Sequence, residues 1–493
     1  MHKELRERLL RIPERGVALS ADVSLLRKLR SELVGIETEV PTLSGEKRRY
    51  VNLDNAASTP TFRPIMEKVD EFLAYYANVH RGTGYKSLLS SWAYDEARDI
   101  VARFVHADPV EQTVIFTRNT TEAMNKLARI FPFRPGQVVF TTLMEHHSND
   151  LPWRRAAEVV HVGLNDDGSL DIGDYRRKLD QYRGRVALVA ITGASNVSGW
   201  VNPVSDLACL AHEHGARFAL DAAQLAAHRP IDMKPAGHPE HIDFLSLSGH
   251  KMYAPYGAGA LVADRTPLLD TAPDLVGGGM VDMVSVDDAW WRELPEREEA
   301  GTPDIVGVVA LAAAIRMLET VGWKAITAHE ESLTRYMLEK LLAIPEITIY
   351  GQSDPTDVRG RLGAFSFNLK GMHHALVAAV LSYEGAIAVR CGCFCAHPYM
   401  MCLLNVPPQQ AEQVRREIRA HDRSNIPGAV RASVGIYNDE SDVDALCDRL
   451  VRIAKGQYVE RYEMDKPTGN FLPVGNKNFD FSSHFTLTPR LPS

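Results

Sequence analysis

The sequence predicts an α/β fold, with a large lobe on a mostly parallel sheet followed by a smaller α+β lobe. Three observations carry this. The chain's 493 residues exceed what one hydrophobic core usually spans. From Tyr50 onward, short apolar runs alternate with helical patterns, the rhythm of strands joined by crossover helices. Near Ala300-Gly301-Thr302-Pro303 that rhythm gives way to a long helical run and then to isolated apolar strands.

In chain order, the first forty residues are charged, and Leu5, Leu9 and Leu10 make an amphipathic face broken by Pro13. They read as a helical arm (residues 1–45) packing with the small lobe. Runs at 113–117, 138–142, 186–191, 218–220 and 244–246 read as buried parallel strands of the large lobe, residues 46–305. Helices are expected between them, as at 122–130 and 203–214. The small lobe, residues 306–455, opens with one helical run over 306–342. Strands follow at 364–369 and 429–434, with helices near 373–383 and 442–453. Residues 456–493 are polar, rich in Asn, Phe, Gly and Pro, and read as an irregular tail.

Composition narrows the function. The chain carries 55 Lys and Arg against 63 Asp and Glu, a net charge of -8. Nucleic-acid binders normally show a clustered basic surplus, so a small-molecule partner is expected. No apolar stretch is long enough for a membrane helix, and the first residues lack a signal peptide's apolar core. Six unevenly placed cysteines do not make a disulfide framework. A cytoplasmic address is the simplest expectation.

Two segments suggest chemistry. Ser246-Leu247-Ser248-Gly249-His250-Lys251 leaves a strand for a glycine-rich bend, placing a lysine where its amine can form an imine beside a ligand phosphate. Taken alone, Lys251 also reads as a solvated loop lysine. Arg217-Phe218-Ala219-Leu220-Asp221 ends an apolar strand in a carboxylate, which needs a cationic partner or serves as a cap for Ala223 or Gln224. Together they fall at the carboxyl ends of successive strands, where ligands of α/β sheets sit.

Arg118-Asn119-Thr120-Thr121-Glu122 lies between a strand and a helix, offering amides and hydroxyls to an anion, or a plain N-cap at Thr120 or Thr121. Glu145-His146-His147 follows another strand, so His146 is placed to lie flat over an aromatic ring. Four cysteines, at 391, 393, 395 and 402, crowd into twelve residues. Their alternation lacks the paired spacing of zinc motifs, and no metal is expected. Cys209 and Cys447 read as small buried hydrophobes.

These motifs, in this order from about Leu53 to about Leu450, resemble fold-type I pyridoxal-phosphate enzymes of the class V aminotransferase group, above all the short-loop cysteine desulfurases. The set runs through Leu53-Asp54-Asn55-Ala56-Ala57-Ser58, Asn78-Val79-His80-Arg81-Gly82, Ser195-Asn196-Val197-Ser198-Gly199 and Arg390-Cys391-Gly392-Cys393-Phe394-Cys395. The resemblance implies pyridoxal 5'-phosphate held as an imine on Lys251, with Asp221 at the ring nitrogen, Gln224 at the ring hydroxyl and His146 stacked above. Thr120, Thr121, Ser248 and His250 would hold the phosphate, and Thr302 would reach it from a neighbouring subunit, implying a homodimer. Asn196 and Arg390 would grip the substrate carboxylate.

Cys395 falls on the family's nucleophile, implying that L-cysteine becomes L-alanine while a persulfide forms on Cys395 and passes to an acceptor, which a partner protein could supply. Where that subgroup commonly has two histidines before the nucleophile, this chain has Cys393 and Phe394, so Cys391 or Cys393 is a candidate sulfur relay or disulfide partner. A transaminase, epimerase or C–S lyase on the same scaffold is the alternative activity, and a non-enzymatic scaffold would have no need of an imine-forming lysine.

Overall fold

The computed structural model describes residues 23–80, 82–459, 461–475, 479 and 481–489, so the Leu5–Leu10 face lies outside the described residues. Seven strands form the large sheet: β1 (Gln112–Thr117), β2 (Val138–Thr142), β3 (Glu158–Val162), β4 (Val186–Thr192), β5 (Arg217–Asp221), β6 (Phe244–Ser248) and β7 (Gly259–Asp264). Their spatial order is β1-β7-β6-β5-β4-β2-β3. All neighbouring pairs are parallel except those of β7, which runs against both β1 and β6. The sheet is therefore mostly parallel, as expected, with one reversed strand.

Burial explains why these runs are strands. Every residue of β1, β2, β4, β6 and β7 is buried, which suits continuous apolar runs covered on both faces. The edge strand β3 is half-exposed and carries Glu158 and His161, so its sequence lacks that signature. The helix Thr120–Ile130 is capped by Asn119, whose side chain accepts from the Glu122 amide. The cap is thus Asn119 rather than Thr120 or Thr121, and both threonines are left facing the sheet edge.

The expected single helix over 306–342 is two, Ile305–Val321 and Trp323–Leu342, bent by 80°. Gly322 between them has φ 86°, a left-handed conformation that glycine adopts freely. The first half packs into the large core through Val308, Leu311 and Ile315, against the helices Arg63–Leu73 and Tyr85–Phe104. The sequence reading placed neither helix, although Pro64 near its start and Ile65, Val69 and Phe72 on one face mark the first.

The smaller sheet has strands β8 (Ile347–Tyr350), β9 (Ala364–Leu369), β10 (Arg390–Gly392) and β11 (Ala429–Ser433), antiparallel in the order β8-β9-β11-β10. Phe365, Phe367 and Val430 pack with Val380 and Leu446 from the helices His374–Gly385 and Glu440–Ala454 into a second core. The described end of the arm, the helix Val23–Arg30, is tied to that lobe where Arg30 pairs with Asp442 at 2.8 Å. The tail is not wholly irregular. Tyr462–Asp465 and Asn470–Pro473 pair as a hairpin around Gly469 at φ 75°, and Phe471 packs on His373. Among the described residues no single helix is long and apolar enough to cross a membrane.

Candidate active site

The carboxyl ends of β1, β2, β4, β5 and β6 share one edge of the large sheet, so the loops that leave them converge. With the segment after β10 they enclose a cavity of about 490 Å³. Thr120, Thr121, His146, Asn196, Asp221, Gln224, Ser248, His250, Lys251, Arg390 and Cys395 all line it.

Lys251 ends a short 3-10 turn that starts at Gly249. A Cβ on Gly249 would stand 2.7 Å from the Ala258 carbonyl, so only glycine lets the turn pack this closely and aim the lysine into the cavity. Burial lowers the amine's pKa to about 8; Asp221 and Cys395 pull it back up, and Arg431 pushes it down.

Asp221 is 3% exposed at the end of β5, and burial raises its pKa. Its carboxylate accepts one hydrogen bond from the Ala223 amide at 2.9 Å, so it caps locally and still faces the cavity. A carboxylate buried on so little support has room for a cationic ring N–H. Gln224 donates to the Ala56 carbonyl at 2.7 Å, leaving its oxygen as the side chain's remaining polar atom.

His146 Nδ1 accepts from the Ser148 amide at 3.1 Å, which places the ring proton on Nε2. Burial, then the charges of Lys251, His147 and Arg431, drive its pKa down to about 3. The ring is therefore a neutral flat surface over the cavity. His250 is likewise held neutral, at about 4, by burial and by Lys251. Ser248 joins the opposite wall, accepting from the Thr120 amide at 2.8 Å, with the two hydroxyls 3.0 Å apart. Thr121 Oγ1 sits 2.6 Å from Ser148 Oγ. Hydroxyls around a helix start, where amides are unsatisfied, suit a phosphate.

Together, an amine of lowered pKa, a buried carboxylate with one amide donor, a neutral ring face and a hydroxyl-lined helix start are the kinds of group that pyridoxal phosphate would need around it.

The class-V aminotransferase family profile matches residues 51–446. A cysteine desulfurase from Haloferax volcanii is 37% identical over 409 residues, covering 81% of this chain and 88% of the relative. The chain belongs to the aminotransferase class-V family. Within this family, a probable cysteine desulfurase of Staphylococcus aureus is also 37% identical, across 82% of the chain and 92% of the relative. Among solved structures, the apo cysteine desulfurase of Thermococcus onnurineus has a TM-score of 0.72 at 35% identity, over 83% of this chain and 95% of its own. The Escherichia coli cysteine desulfurase CsdA has 0.70 at 28%, over 90% and 100%.

In this class-V chain the cysteine segment separates into distinct environments. Cys395 is exposed at the cavity, and it and Phe394 both have φ of 54°. Two consecutive side-chain-bearing residues in the left-handed region are costly and persist only where the surroundings hold them. Here the His147 amide donates to the Cys395 carbonyl at 2.7 Å, and Asn196 Nδ2 donates to the Phe394 carbonyl at 2.8 Å. Cys393 is buried, its thiol donating to the Pro427 carbonyl at 2.9 Å, and burial pushes its pKa up to about 12. Cys391 lines the cavity with a pKa raised by burial. Cys447 is buried as expected, whereas Cys209 is only half-buried, on a helix facing partly outward.

Thr302 is exposed and lines a separate surface pocket with Asn78, Val79 and His80, so its own chain does not bring it to the cavity. The sequence reading missed Arg431. It is 2% exposed on β11, lines the cavity, donates to the Asn196 carbonyl at 2.9 Å and to Asp54 at 3.0 Å, and stacks its guanidinium over Phe394. Its signal was available: an arginine in the middle of the apolar run Ala429-Val430-Arg431-Ala432 needs a partner to be buried.

Proposed function

We propose that this chain is a cysteine desulfurase that holds pyridoxal phosphate in the cavity, converts L-cysteine to L-alanine and takes the sulfur as a persulfide on Cys395 for delivery to an acceptor. The observation that carries the reading is Cys395, held on a left-handed turn at the mouth of the cavity that Lys251 lines.

Pyridoxal phosphate, when bound, supplies an electrophilic carbon and an electron sink. Thr120, Thr121, Ser248 and His250 would hold its phosphate, Asp221 would pair with its ring nitrogen, Gln224 would bond its ring hydroxyl, and His146 would stack on the ring. Arg431, Arg390 and Asn196 receive the substrate carboxylate, guanidinium being suited to bidentate contact. Lys251, with a pKa of about 8, is free amine often enough near neutral pH to carry the substrate α-proton. Cys395 Sγ, as thiolate, attacks the substrate sulfur; the S–S bond forms as the C–S bond breaks, and the electron pair of that bond goes to carbon, which is then protonated.

Thr302 completes the phosphate site from a second copy. Exposed Tyr76, Tyr85 and Trp92 are apolar surface that such a homodimer would cover. Six free cysteines suit a reducing cytoplasm.

Mass spectrometry of the loaded enzyme after cysteine treatment tests the reading. A gain of about 32 Da on the Cys395 peptide, absent in Cys395→Ala, is expected. Full alanine and sulfide production by Cys395→Ala would instead place the chain among thiol-independent lyases.

A further inference from the structure

Asp54 stands between the two guanidinium groups of the site. Arg390 donates to it from Nε at 3.0 Å and from Nη2 at 2.8 Å, and Arg431 donates from Nη2 at 3.0 Å. Arg390 reaches Asp54 from β10 and Arg431 from β11, while Asp54 itself is bridged to Ser433. One carboxylate thus holds two cations from neighbouring strands in a fixed relation.

The charges count simply. Two guanidiniums and one carboxylate leave a net single positive charge beside the cavity. Arg431 is almost wholly buried and its Nε–H has no acceptor among the described residues. An N–H left unpaired inside a protein is costly, so the site retains both a surplus charge and an unused donor. Burial depresses the Arg431 pKa to about 10, and Arg390 adds to the depression while Asp54 opposes it. Asp54 is therefore the group that lets two like charges share this wall.

We propose that Asp54 is a specificity-determining residue: by cancelling one of the two guanidinium charges, it matches the site to amino acids with a single carboxylate and disfavours dianionic ones. The inference rests on the reading above that Arg390 and Arg431 receive the substrate carboxylate. It requires nothing of Cys395, so it survives if the sulfur step is assigned wrongly. An amino acid with one carboxylate neutralises the remaining charge; a second carboxylate meets the field of Asp54, which stands against the cavity-lining Arg390 and Arg431. Lys251 and His146 line the same cavity, where burial keeps the histidine neutral and Asp221 and Cys395 stand near the lysine.

The test compares alanine with aspartate as ligands of the loaded enzyme, read from the change in the cofactor absorbance band, so that no sulfur chemistry intervenes. Asp54→Asn keeps the shape and the backbone contacts and removes the charge. Its aspartate-to-alanine affinity ratio is expected to rise about tenfold or more over the wild type, as for one unit charge a few ångströms away at a partly buried site. In cofactor-free protein, succinate should gain in thermal stabilisation over propionate by the same change. An unchanged ratio in a folded Asp54→Asn protein overturns the proposal. Should that variant not fold, Asp54→Ser serves instead: it removes the same charge, and the aspartate-to-alanine ratio should rise about tenfold. A ratio within about twofold of wild type would equally overturn the proposal, whereas loss of binding of both ligands alike would count against the carboxylate reading of Arg390 and Arg431.

Discussion

The imidazoles of His147 and His397 lie face to face, with centroids 4.9 Å apart and planes 7° from parallel. His397 Nδ1 stands 3.1 Å from His147 Nε2, and the His397 amide donates to the same nitrogen at 3.3 Å. With the His147 amide on the Cys395 carbonyl, these contacts fasten the loop after Cys395 to the segment that presents His146. His397→Ala is expected to slow persulfide formation about tenfold while leaving Lys251-dependent exchange of the substrate α-proton nearly unchanged. Rapid-quench measurement of the persulfide, beside deuterium exchange into alanine, separates the two rates. Equal loss in both would show that the pair supports the whole site rather than the loop.

Three half-buried imidazoles make the fold sensitive to acid. His146, His250 and His374 are held by burial at about 3, about 4 and about 4. Their folded pKa values lie below the unfolded value, so the unfolded chain binds more protons as pH falls. Stability is complete above about pH 6.5 and declines between there and pH 4, by up to roughly 1.4 kcal/mol per pH unit for each group. Urea unfolding of cofactor-free protein at pH 7, 6 and 5 should show that slope, and His146→Asn should reduce it. A flat profile would mean that water reaches these rings.

The Lys251 amine should react as a base of pKa about 8. Because burial favours the neutral form, half of the amine is free near pH 8 rather than above pH 10. The rate at which cofactor-free protein takes up pyridoxal phosphate should rise through pH 8 and level off by about pH 9.5. A rate still climbing at pH 10 would place the amine in water. Borohydride reduction followed by peptide mapping identifies the modified residue.

Cys393 is buried against Pro427, so it is not expected to act as a direct sulfur relay. Cys393→Ala should cost about 1–2 kcal/mol of stability through a small cavity. Alanine production should stay within about threefold of wild type, because no transition-state contact is removed. A persulfide mapped to Cys393 in the wild type would contradict this.

The large sheet was legible because its strands are buried on both faces: 138–142 was read residue for residue as β2, and 244–246 lies within β6. β3 and β7 were not, the first because an edge strand keeps charged residues and the second because its opening Gly259 reads as a turn. Eleven of the cavity residues were legible as motifs, since loops at strand ends carry unusual polar residues in short runs. Arg431 escaped for the opposite reason: it stands alone in an apolar run and acts through partners hundreds of positions away. Asp54 was noticed within its motif, but its pairing with Arg390 and Arg431 was not, because those partners lie hundreds of positions away. The pair His147 and His397 escaped likewise, its halves belonging to different lobes.

That division of labour between lobes has a kinetic corollary. Lys251 and Asp221 hang from adjacent strands of one sheet, whereas Cys395 belongs to the other lobe and meets them across a seam stitched by Asn196 to Phe394, Arg431 to Asn196 and Ser366 to Val197. Proton removal is a local affair, indifferent to small slippage along that join. On the proposed function sulfur hand-over is not, so wear at the stitching would uncouple the two events and leave an enzyme that still activates its substrate but rarely collects the cargo.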